Sequence, residues 1–162
     1  MRLSQAWTQF RILHAALTAS LVVYAVVAVA ATQGKGQVSD LDPKLLLSVL
    51  GAVGAVELLV VVPLLRRKLM PARDPFSDPV DLEVDVGGDD PVNVAIGRLR
   101  SVSILTWALC ESVAILGLVA AFVYREPRYY AGFGAAGLLG MLWYAPRRGL
   151  LEEVVRAARR PR

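Results

Sequence analysis

Apolar residues along this chain gather into four long runs, at about 12–32, 45–65, 101–124 and 129–145. Each of the first three is roughly the 20 residues that an α-helix needs to cross a bilayer. The fourth is shorter, and Tyr129, Tyr130, Trp143 and Tyr144 bracket it like two aromatic belts. The pattern predicts an all-α integral membrane protein. It is a single transmembrane domain over 1–162, a four-transmembrane-helix bundle. Helix 3 carries a cytoplasmic extension, and a C-terminal amphipathic helix follows helix 4.

The polar stretches set the boundaries. Residues 33–44 are turn-rich, and Pro43 suits the first turn of the next helix. The second run stops at Arg66, Arg67 and Lys68, and Pro63 loosens its last turn. Residues 69–90 hold seven acids after Arg73, together with prolines at 71, 75 and 79. Val80–Val86 alternates apolar and acidic, as a short strand would. Asp81, Glu83 and Asp85 faintly suggest a calcium loop, but Val92 stands where the closing glutamate belongs, which favours a solvated acidic loop. Asp90 and Pro91 form a helix-start signal, and Val92, Ala95, Ile96 and Leu99 then recur at helical spacing. Residues 125–128 make a tight turn. The first run competes with a secretory signal, because Ala28-Val29-Ala30 is a small-residue site after a basic start. Its length favours a span over a signal core.

Composition agrees: 56% of residues are hydrophobic and mean hydropathy is +0.50, outside the range of ordinary soluble domains. The formal charge of +4 matters less than where the positives lie. Lys and Arg number two in the N-terminal segment, two in the first loop, six over 66–100, two in the third loop and six in the tail 146–162. The positive-inside rule then places the 66–100 loop, the tail and the N-terminus in the cytoplasm. The predominance of arginine over lysine fits a bacterial source, so the predicted location is the bacterial cytoplasmic (inner) membrane, multi-pass, with both termini cytoplasmic.

Two acids lie inside the runs. Glu57 precedes Arg66 by nine residues, roughly 13 Å along a helix, and Glu111 follows Arg100 by eleven, roughly 16 Å. Both are near the middle of a core roughly 30 Å thick. Consecutive spans usually neighbour each other, so the two carboxylates are expected to be able to meet. Apposed carboxylates in low dielectric do not both ionise, which calls for a bound proton or a cation. The competing expectation is a protonated glutamate hydrogen-bonded across helices, to Ser20, Thr106 or Ser112 for example. His14 falls near an interface, and Cys110, the only cysteine, is expected to pack rather than react. Small residues mark packing faces: Gly51 and Gly54, Gly117 and Ala121, and Gly132, Ala136 and Gly140 at four-residue steps. These suit a monomeric bundle and a homo-oligomer equally. Leu150, Leu151, Val154, Val155 and Ala158 share one face of the tail helix. With Arg147, Arg148, Arg156, Arg159 and Arg160 around it, that helix suits either an anionic membrane surface or solvent.

The stretch from Ala108 through Glu111 to Gly117 and Val119 resembles the carboxylate helix of the proteolipid (c) subunits of rotary ATPases. Gly51 and Gly54 loosely match that family's glycine-rich partner helix. The resemblance covers two helices. It implies that Glu111 would bind a proton or cation, with Glu57 as an extra acid outside the family's pattern. The long acidic loop and the first and fourth runs also depart from it. The whole chain looks more like small uncharacterised bacterial four-helix membrane proteins with Ala-Leu-x-Glu in the third helix, a resemblance that implies no activity. The sequence shows no nucleophile–base pair, phosphate loop or metal-ligand cluster, and no cofactor or nucleic acid is expected. A structural or accessory membrane subunit without catalysis ranks first. A proteolipid-like ion carrier ranks second and a membrane enzyme a distant third.

Overall fold

The computed structural model of the chain describes residues 3–33, 42–69 and 91–159. The alternating stretch at 80–86, the acids compared with a calcium loop, and Asp90 lie outside them. The described residues form helices and short turns: α1 (Leu3–Ala31), α2 (Pro43–Val56), a π-turn (Glu57–Val61), α3 (Val62–Leu69), α4 (Pro91–Tyr124), α5 (Pro127–Trp143) and α6 (Arg148–Arg159). Three stretches are long and apolar enough to cross a membrane: Ser4–Ala31, Pro43–Lys68 and Val92–Tyr124. α5 has 17 residues, roughly 26 Å, the short limit for a span of the hydrocarbon core.

Local chemistry accounts for the helix ends. Pro43 opens α2, and the Asp42 side chain accepts a hydrogen bond of 2.9 Å from the Lys44 amide. Pro91 is the first residue of α4. The π-turn has its cause in Pro63, which has no amide hydrogen and whose ring crowds the carbonyl four residues back. The chain widens there instead, so that the Val62 amide bonds to the Glu57 carbonyl. The extra residue also shifts the packing face: Val62 is 0% exposed whereas Val61 is 39% exposed.

α4 is the mast of the molecule. α1, the α2–α3 unit, α5 and α6 all pack on it, and α1 also packs on α5. The α4–α5 contact is the most extensive, because glycines let the two backbones approach. A Cβ on Gly137 would stand 2.6 Å from the Cys110 carbonyl oxygen, and one on Gly117 would collide with Phe133. Cys110 is itself buried in this seam. The stripe Gly132–Ala136–Gly140 is therefore not the face of closest approach. Gly140 meets Cys110 and Leu58, but a Cβ on Gly132 would meet nothing within 4 Å.

The tail helix differs from the sequence expectation in what covers it. The apolar face was correctly placed, but Leu151, Val154 and Val155 are buried in one cluster with Val92, Ile96 and Leu99 of α4 and Ala6 and Phe10 of α1. That apolar surface lies against protein, so it is not presented to a lipid headgroup layer. Arg147 and Arg148 are exposed, and Arg148 pairs with Glu152 one turn on at 3.1 Å. Arg156 is half-buried, while the Arg159 side chain and Arg160 lie outside the described residues.

Candidate functional site: two carboxylates within the apolar helices

Glu111 sits in mid-α4, half-buried, and faces α1. Its Oε1 accepts from the Ser20 hydroxyl at 2.6 Å and from the Tyr24 hydroxyl at 2.8 Å. Ser20 and Tyr24 are four apart on α1 and thus share a face. Ser112, the next residue of α4, lies about 100° further round the helix and faces the other way. Its hydroxyl donates to Oε2 of Glu57 at 2.7 Å, at the start of the π-turn. The two acids therefore bond to separate hydroxyls on separate sides of α4. The expectation that they would meet is replaced by two independent ties, α1 to α4 and α2 to α4.

Ser20 and Ser112, two of the three hydroxyls named from the sequence, take part. Thr106 does not, because its buried hydroxyl bonds to the Val102 carbonyl in its own helix at 2.8 Å. Tyr24 was missed. It sits inside an apolar run, where a tyrosine reads as one more large side chain. Its spacing of four from Ser20 was the available signal. Each serine has a second acceptor in reach: the Leu17 carbonyl lies 2.7 Å from Ser20 Oγ, and the Leu109 carbonyl 2.8 Å from Ser112 Oγ. One hydroxyl proton thus faces two oxygens at both places.

Other polar groups in the bundle are also taken up between helices. The Tyr130 hydroxyl of α5 donates to the Leu21 carbonyl of α1 at 2.5 Å. His14 Nε2 lies 3.1 Å from the Met141 carbonyl, and Trp107 Nε1 donates to the Tyr144 carbonyl at 3.0 Å. The Met141 carbonyl lies in the last turn of α5 and the Tyr144 carbonyl at its C-cap, where a helix leaves its acceptors unpaired. The His14 and Trp107 rings meet edge to face at 5.0 Å. His14 is thereby a bridge from α1 to the end of α5. Among the described residues, no group of three or more His, Cys, Asp or Glu side chains is placed to hold a metal ion. Compared with protein families, curated proteins and solved structures, the chain matches none.

Proposed function

We propose that the protein is a non-catalytic structural or accessory subunit of the bacterial cytoplasmic membrane. In this reading α5 makes a fourth crossing and both termini are cytoplasmic. The observation that carries it is the use of both intramembrane acids as ties between helices, Glu111 through Ser20 and Tyr24 and Glu57 through Ser112. Carboxyl groups met by hydroxyls of neighbouring helices contribute to assembly without any ligand.

A second reading is proteolipid-like proton or cation binding through Glu111 and Glu57, and it starts from the same two carboxyl groups, each beside a serine with a second acceptor in its own helix. The hydrogen count at each serine closes if the carboxyl group donates to the serine and the serine donates onward to its own helix, an arrangement common to both readings. One experiment separates the two. Glu111→Gln keeps an acceptor for Tyr24 and a donor for Ser20, whereas Glu111→Leu takes the Tyr24 hydroxyl's partner away and leaves Ser20 only the Leu17 carbonyl of its own helix. The structural reading expects Gln to preserve the unfolding midpoint in detergent and Leu to cost about 1 kcal/mol. It also expects proteoliposomes of the parent protein to pass no protons under an imposed gradient. A proton flux that Glu111→Gln abolishes would overturn it in favour of the second reading.

A further inference from the structure

The α2–α3 unit touches α5 at one end of the molecule and stands away from it at the other. Near the α6 end, Leu58 sits over Gly140, 3.2 Å from where its Cβ would be, and the Arg66 guanidinium lies over the Tyr144 ring at 4.8 Å. Beyond the π-turn the two helices diverge. They leave a crevice of about 580 Å³ walled by Gly51 and Leu59 on one side and Gly132 and Phe133 on the other, with Val113 of α4 at its back. The lining is apolar except at the mouth, where Arg128 and Tyr129 stand.

We propose that this crevice holds one acyl chain of an anionic phospholipid, with its phosphate on Arg128. This rests on the membrane reading above. Depth is the first argument. The walls run from Leu47 to Leu59 and from Arg128 to Ala136, roughly 18 and 12 Å of helix. That is about half of a 30 Å core, or one leaflet. A helix from a second copy, about 10 Å across and spanning both leaflets, would need a groove that continues past Leu58. Charge at the mouth is the second argument. Arg128 pairs with Glu126 and stacks on Tyr129 at 5.3 Å, yet its side chain stays 71% exposed. A guanidinium has five donors in a fork that suits a phosphate. The open space at Gly51 and Gly132 is the third argument, since neither glycine serves a helix–helix contact.

The test uses the full chain, extracted in mild detergent with phosphatidylglycerol and weighed intact by native mass spectrometry. Gly132→Leu and Gly51→Leu fill the crevice from opposite walls without disturbing a packed neighbour. The parent chain should retain one phosphatidylglycerol, and either leucine variant should lose at least nine-tenths of it. Arg128→Gln should retain it about fivefold less well, and glycerol phosphate without acyl chains should not bind. Equal retention by both leucine variants would overturn the proposal while the chain stays in carbonate-washed membranes. So would a dimer that Gly132→Leu converts to monomer, which would give the crevice to a second copy. A chain that carbonate strips from the membrane would overturn the membrane reading, and this proposal with it.

Discussion

Among the described non-glycine residues, Arg125 alone has a positive φ, 53°. It ends α4 in the left-handed conformation that lets the Glu126 amide reach back to the Ala121 carbonyl at 3.1 Å, and so turns the chain into α5. An L-residue there carries a steric cost that glycine escapes. Arg125→Gly is expected to raise stability by about 1 kcal/mol, read as a higher thermal midpoint in detergent. A lower midpoint would mean that the arginine side chain makes a contribution larger than this strain. Glu111 shows how far single residues were legible. The sequence pointed to its depth and to Ser20, because a hydroxyl in an apolar helix needs a partner. It did not point to Tyr24, whose hydroxyl is hidden behind an aromatic ring that would be at home in any core.

At the scale of elements, helix starts were legible and helix phases were not. Pro43 and Pro91 begin α2 and α4 because a proline lacks only the amide that the first turn leaves unpaired anyway. The π-turn was beyond the pattern, which expected Pro63 to kink or loosen the helix end. Periodicity assumes 3.6 residues per turn, and one inserted residue rotates everything after it by about 100°. The small-residue stripe of α5 misled for a related reason. Four-residue spacing shows that a face is smooth, not what lies against it. The seam glycines discriminate: Gly137→Ala must push the Cys110 carbonyl away and should cost about 1–3 kcal/mol, while Gly132→Ala should be neutral. Unfolding titrations of the two variants in mixed micelles check this, and equal midpoints would show that α4 and α5 yield freely. α6 gives a third case. Its apolar face was plain from the sequence, but a lipid surface and a protein surface ask for the same pattern. Val155 is 0% exposed, so Val155→Lys should release the tail helix from α4. Faster proteolysis of the tail, with the apolar helices still protected, is the expected result.

For the whole molecule, the basic asymmetry of six residues against two predicts both termini on the cytoplasmic side. Reporter fusions at the first loop and after the tail test this, and a periplasmic tail would exclude it. The build of α4 then has a mechanical consequence. Its 34 residues make a rod roughly 51 Å long, against a core of roughly 30 Å, so in the proposed membrane reading about 20 Å would stand clear of the hydrocarbon. No proline follows Pro91 to give it a joint. The cluster of α1, α4 and α6 residues gathers around the first turns of α4, from Val92 to Leu99, and reaches down to Trp107, and the Glu111 tie lies within the same rod. Membrane helices answer a change in bilayer thickness by tilting. In the proposed membrane reading that tilt would be a lever motion: what happens among the lipids at one end would be delivered as a sideways swing of the packed cap at the other.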